Sequence, residues 1–305
     1  MADTIPESSS VILSGKSIPP PPFRDEVELH PIDASKLGEI QQQLTFVEKI
    51  WGNEGVRKTT IVIMLLLVWQ FYAMWKNDTL TVPSAVEAHR ALWNDIKTGE
   101  LLTYTWYSLK LLLMGYAIGV AIAGVLSIAA TFTRIGRDIL ETLTAMFSPL
   151  PAIALVPLAM IWFGLGATSL VFVLVHSVLW PVALNMHGGF RSVSPTLRMV
   201  GANYGMNPLS YVIRILFPAA FPSVLTGLKI GWAFAWRTLI AAELVFGVAS
   251  GGGGLGWYIY QAKNSLDTPT VFAGLLMVIV IGLAVENLVF RTIEVMTIRK
   301  WGMQV

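Results

Sequence analysis

At 305 residues, 54% of them hydrophobic and only 13% charged, the chain lacks the polar surface of a water-soluble domain, where charged residues run at about 25%. A formal charge of +2, with its basic residues scattered rather than clustered, is too small to suggest nucleic acid as a partner, and none is expected. The absence of cysteine excludes disulfide staples, thiolate metal sites and cysteine nucleophiles, and the four histidines (His30, His89, His176, His187) show no metal-ligand spacing.

Residues 1–44 are polar and proline-rich, with a run from Pro19 to Pro22. Such a segment buries too little apolar surface to offset its ordering entropy, and is expected to be a mostly disordered cytoplasmic arm. From 45 to 58, Phe46, Ile50 and Trp51 alternate with charges, which predicts a short interfacial helix leading into a bilayer. Because residues 1–58 hold no apolar run of signal-peptide length, the membrane assignment rests on internal segments. Six of these are long and apolar enough to cross a hydrocarbon core of about 30 Å. They are 59–75, 104–130, 140–163, 168–187, 222–247 and 271–292, so the region 59–305 reads as an all-α integral membrane domain of six helices. The third contains Pro149, Pro151 and Pro157, and is expected to be kinked and packed against protein rather than lipid.

Orientation follows from lysine and arginine placement. With the N-terminus inside, the cytoplasmic flanks hold ten (Arg57, Lys58, Arg134, Arg137, Arg191, Arg198, Arg214, Arg291, Arg299, Lys300). The external loops then hold four, namely Lys76, Arg90, Lys97 and Lys263, so both termini are expected in the cytoplasm. Two polar segments interrupt the apolar pattern. Residues 76–103 are external, with an amphipathic helix predicted from Ser84 to about Thr98. Residues 188–221 are cytoplasmic, and there Ser194 or Thr196 can cap a short helix that Gly205 and Pro208 end. Its segment Met199, Val200, Gly201, Ala202, Asn203, Tyr204, Gly205 is rich in small residues that permit close backbone approach, and Pro218 and Pro222 stiffen its attachment to the next span. Two readings stand at this point: a knob that seats in a groove of another protein, or an ordinary amphipathic helix lying on the membrane surface.

This loop resembles the permease motif of bacterial ATP-binding-cassette importers, Glu-Ala-Ala, three residues, Gly, nine residues, Ile-x-Leu-Pro. The motif glycine falls on Gly205, and Ile215, Phe217 and Pro218 follow at the motif spacing. Met199, Val200 and Gly201 stand where the motif has Glu-Ala-Ala, so one polar contact of the motif is missing. Further segments are similar to the nitrate, sulfonate, taurine and bicarbonate branch of these type I importer permeases. They are Val82-Pro-Ser-Ala-Val86, the stretch from Leu150 to Gly164, Leu216-Phe-Pro-Ala-Ala-Phe-Pro222, and Ala241-Ala-Glu-Leu244 before a glycine-rich loop. The resemblance covers roughly residues 60–300. It implies a multi-pass protein of a bacterial inner membrane that pairs with a second copy of itself. It also implies a cytoplasmic ATPase dimer holding the ATP and Mg, an extracytoplasmic substrate-binding protein, and a coupling helix at Val200 to Gly205. No cofactor is expected in this chain. No Gly-x-x-x-x-Gly-Lys-Ser/Thr occurs in it, so ATP hydrolysis is expected in a separate subunit.

Five charged residues fall within predicted spans: Lys110, Lys229, Arg237, Glu243 and Glu286. Each costs about 2.5–3.5 kcal/mol at a bilayer centre on insertion scales. On a helical wheel Lys229, Trp232, Trp236 and Glu243 share one face with Arg237 at its border, and that face is expected to point at a dimer axis or a water-filled passage. Arg237, helped by Lys110, can offer a passing anion a charge-assisted hydrogen bond. The alternative is an internal ion pair of Arg237 with Glu243 or Glu286 across helices, since Arg237 and Glu243 are six apart and do not face each other. Gly251 to Gly254 is not a phosphate cradle and is expected to form an external gate loop or simple turn. His176 and His187 are expected to serve packing or capping. A membrane enzyme is disfavoured because no nucleophile or metal constellation is found. An ion-gradient-driven secondary transporter, the remaining alternative, usually shows inverted repeats or more spans.

Overall fold

The computed structural model describes residues 51–246 and 253–302. The proposed arm 1–44, residues 45–50 of the proposed interfacial helix 45–58 and half of the glycine loop lie outside the described residues. The chain divides after Thr60 into two units. In the first, Glu54 to Lys58 are opening turns of α1 (Glu54–Lys76), held by a Lys58–Glu54 ion pair of 2.5 Å and by Arg57 donating to the Trp51 carbonyl at 2.6 Å.

All the described regular structure of the second unit is helical. After α1 come α2 (Ala85–Thr98), α3 (Glu100–Phe132), α4 (Arg134–Phe147), α5 (Val156–Phe163, entered through a 3₁₀ turn at Ala152–Leu155) and α6 (Ala167–Ser192). They are followed by α7 (Pro195–Asn203), α8 (Pro208–Val245), α9 (Leu255–Asn264) and α10 (Thr268–Arg299). Five of these, α1, α3, α6, α8 and α10, are each long and apolar enough to cross a membrane, and a sixth crossing is available if α4 and α5 count as one.

That pair is where the structure departs most from the sequence expectation. The stretch 140–163 is two helices meeting at 87°, not one kinked helix. Pro149 and Pro151 both lack an N–H; Ser148 still closes the first helix with helical angles and an N–H bond to the Thr144 carbonyl, and the chain leaves the helix after it, reaching an extended Pro151 at ψ +124°. The packing expectation also holds only in part. Leu140, Thr144, Val156 and Ala159 are buried, while Ile161, Trp162 and Phe163 are exposed.

Elsewhere proline widens a helix instead of breaking it. Pro218 cannot donate, and just before it the chain takes a π-helical course over Val212–Leu216, Phe217 N–H reaching back to the carbonyl of Val212. α8 therefore starts at Pro208, far earlier than the expected 222, and continues without a loop. α10 likewise runs past the expected 292, through π-helical stretches at Val285–Phe290 and Val295–Arg299.

The centre of the fold is α6, sandwiched between α3 and α8. Small residues let the backbones close up: a Cβ on Gly115 would stand 2.5 Å from the Leu174 Cβ, and one on Gly227 would stand 2.7 Å from the Asn185 Cβ. In hydrocarbon, where lipid offers no hydrophobic drive between helices, such close contact supplies the packing attraction that holds a bundle together. By contrast α1 leaves Ile61, Val62, Met64, Leu65, Val68 and Phe71 uncovered, as a lipid-facing helix does.

The helix expected from Ser84 to Thr98 is present as α2. Ser84 Oγ accepts from Glu87 N–H at 3.2 Å while the Glu87 carboxylate accepts from Ser84 N–H at 2.8 Å, and Gly99 ends the helix at φ +80°. Trp69 Nε1 donates to the Pro83 carbonyl at 3.0 Å, tying α2 to α1. The Tyr258 phenol of α9 donates to Asp95 of α2; burial first, and the Asp95 carboxylate second, push the phenol's pKa up.

Candidate functional site

Midway along the bundle a cleft of about 540 Å³ opens between the α4–α5 break, α6 and α8. The break contributes Ser148 to Ile153, α6 contributes His176, Ser177, Trp180 and Asn185, and α8 contributes Phe234, Arg237 and Thr238. Two prolines that cannot continue a helix thus create one wall. The other two walls are the central helices, already in register through their small residues.

Arg237 is the only described arginine or lysine on the cleft wall. Its Nε donates to the Ala233 carbonyl at 3.0 Å, and its guanidinium carbon lies 5.2 Å from the centre of the Phe234 ring. Among the described residues it pairs with no carboxylate. The backbone bond and the ring hold the stem of the side chain, and the remaining N–H groups of the fork are left for an acceptor entering the cleft. Beside it, Ser177 Oγ and Thr238 Oγ1 are 3.0 Å apart, and Asn185 Nδ2 donates to the Pro181 carbonyl at 2.8 Å. Trp180 stacks on Phe147 at 5.6 Å and 9°, with the His176 ring edge-on to both. The cleft is cationic and hydroxyl-bearing at one side and apolar at the other.

The structure sorts the remaining expected pathway residues away from this cleft. Trp232 is buried edge-to-face against Tyr116 and Phe290, and Trp236 donates through Nε1 to the Val278 carbonyl at 3.3 Å. Glu243 is 2% exposed. It accepts from Ser108 Oγ at 2.7 Å and from Gly256 N–H at 2.8 Å, while Ser108 Oγ accepts from Leu255 N–H at 2.7 Å. Lys229 pairs with Glu294 at 2.7 Å and with Glu286 at 3.8 Å. Within this chain Trp232, Trp236 and Glu243 are thus packed against α3, α9 and α10, and Lys229 is paired with α10 while still partly exposed. Lys110 lies exposed on α3 and does not line the cleft. The expected alternative, an ion pair of Arg237 with Glu243 or Glu286, does not form, because both acids are engaged elsewhere.

Sequence reasoning missed Ser177, Trp180, Asn185 and Thr238, and assigned His176 to packing or capping. An asparagine inside an apolar span, and the Pro-x-Pro break itself, were the available signals.

At one end of the bundle α7 projects between α6 and α8. Of the two candidate caps it is Ser194 that opens the helix, its Oγ accepting from Leu197 N–H at 3.4 Å. Gly205, at φ +59°, closes it, with Met206 N–H returning to the Gly201 carbonyl at 3.2 Å. Met199, Val200, Ala202, Asn203, Tyr204 and Gly205 all face outward, with Tyr204 78% exposed. Gly201 faces inward, where a Cβ would stand 2.5 Å from the Tyr211 ring. Pro218 lies within α8 and is partly exposed.

The profile of the family described as binding-protein-dependent transport system inner membrane component matches residues 115–291, more than half of the chain. A protein of Escherichia coli provisionally named as an aliphatic sulfonates transport permease is 27% identical over 72% of this chain and 82% of its own length. A nitrate import permease of Synechocystis is 25% identical over 79% of this chain and 88% of its own. Among solved structures, an amino acid ABC transporter crystallised with histidines superposes with a TM-score of 0.50 at 17% identity, covering 66% of this chain and 94% of that one. That likeness is one of fold.

Proposed function

This chain belongs to the family of binding-protein-dependent inner-membrane transport components, the permeases of ATP-binding-cassette importers, and on that premise we propose that it forms the translocation pathway for a small anion. Two copies would enclose the pathway, a separate cytoplasmic ATPase pair would dock on α7 and hydrolyse the ATP, and an extracytoplasmic binding protein would deliver the substrate. Both termini lie in the cytoplasm in this reading, as the ten basic residues on that side favour.

The observation that carries the anion assignment is Arg237. A cation within a spanning helix is costly, and here no carboxylate among the described residues offsets it. A guanidinium held on its stem side, in an open cleft with two hydroxyls nearby, is arranged to receive carboxylate, sulfonate or a comparable oxyanion. The nitrate and sulfonate named for its relatives are of this chemistry. The outward face of α7, small or apolar except for Asn203, suits a groove on another protein better than the polar surface of an exposed loop.

The experiment is co-purification of the tagged chain with its ATPase, followed by ATP turnover in nanodiscs. Val200→Asp should release the ATPase while leaving the chain folded. A chain that purifies alone, and moves solute on an ion gradient without ATP, would remove the reading.

A further inference from the structure

Resting on the docking role of α7, we infer that Arg198 is the positioning residue that makes α7 and α6 move as one body, so that force applied to α7 reaches the cleft. Its Nη2 donates to the Phe190 carbonyl at 2.6 Å and to the Arg191 carbonyl at 3.3 Å, and its Nε donates to the Val193 carbonyl at 3.1 Å. Phe190 and Arg191 belong to the last turn of α6, whose carbonyls have no partner within the helix. Ser192 Oγ takes the Gly189 carbonyl at 2.8 Å. The end of α6 is thus satisfied largely by one side chain of the following helix, and the cation also sits at the negative end of the α6 dipole.

The connection leaves little slack. Only Val193 and Ser194 separate the helices, Ser194 caps α7, and Pro195 fixes its first backbone angle. Three residues after Arg198, on the same inward face, Gly201 closes against Tyr211 and Ile215 of α8, and Tyr211 lies edge-on to Phe132 of α3 at 6.3 Å. Met199, Val200 and Tyr204 point the other way. α7 therefore has one face for a partner and one face locked to α6 and α8, and these two helices carry the polar groups of the cleft, from His176 and Ser177 to Arg237 and Thr238. Met199, 58% exposed, replaces the glutamate of the importer motif, so the polar anchor of the helix in this chain is its inward neighbour.

The test compares Arg198→Gln and Arg198→Lys with wild type in the complete complex of permease, ATPase and binding protein, reconstituted in proteoliposomes. The readout is substrate moved per ATP hydrolysed. A merely structural role would change yield or rate and leave that ratio alone. Arg198→Gln should keep the ATPase bound and lower the ratio by roughly threefold or more, the range expected when one link of such a chain is lost. Arg198→Lys, which retains the charge but cannot bridge several carbonyls with a planar fork, should fall between the two. An Arg198→Lys variant that couples as wild type overturns the inference even if Arg198→Gln fails to assemble. Val200→Asp serves as the control. If it leaves the ATPase in place, the docking reading itself fails; if it releases the ATPase while both Arg198 variants couple normally, only the present inference does.

Discussion

Arg237 and Glu243 stand six residues apart on the same helix, and the structure treats them in opposite ways. Glu243 is enclosed, accepting bonds that join α8 to α3 and to the first turn of α9. Arg237 is exposed to a cleft and, among the described residues, is joined only to its own helix. A charged residue in a spanning segment is either absorbed by the fold or offered to something that passes, and the partner list separates the two cases where the charge alone does not.

The comparison is broken most severely by removing Glu243. Glu243→Ala strands the Ser108 hydroxyl and the Gly256 N–H in a buried site, and each unsatisfied group costs about 1–3 kcal/mol. A lower thermal midpoint in detergent and a lower yield are expected. Normal stability with lost transport would return Glu243 to the pathway.

Arg237→Ala should do the reverse. With only a backbone bond and one ring contact to lose, stability should change little. The charge-assisted hydrogen bond offered to substrate is worth about 1.5–3 kcal/mol, so transport should drop roughly ten- to a hundredfold. Uptake of labelled substrate beside a melting curve on the same preparation separates the two effects. A melting point that falls as far as that of Glu243→Ala would make Arg237 a structural residue.

What the sequence showed and what it hid divide along the same line. The spans were legible because apolar length is a local property, α2 because its amphipathic pattern is local, and α7 because Ser194 and Gly205 are local caps. Pro149 and Pro151 announced a disturbance but not its size, because whether a proline pair kinks a helix or turns it through 87° depends on what the second half packs against. The helical wheel placed Trp232, Trp236 and Glu243 on one face correctly. It had no means of saying whether that face met α3 and α10 or a passage, and the deciding bond, Ser108 to Glu243, joins residues 135 apart. Ser177 and Thr238, 61 apart and 3.0 Å from each other, were invisible for the same reason.

Lys110 carries the smallest expected effect and the most informative exception. It lies on α3 on the uncovered side of the bundle, in a helix of 33 residues and about 50 Å. From the eleventh position, a four-carbon stem can carry the ammonium toward the nearer membrane surface while its methylenes stay in the apolar layer. Among the described residues no carboxylate pairs with the charge, so Lys110→Gln should leave uptake and melting temperature at wild-type values. The sequence alone had set Lys110 beside Arg237 as a second cation for the anion, and the only way for that to hold is for a second copy to bring its α3 against the cleft of the first. A loss of transport in Lys110→Gln, with the protein still stable, would therefore locate the dimer contact as well as a second substrate-facing charge. Unchanged transport would leave Arg237 as the charge that the cleft presents.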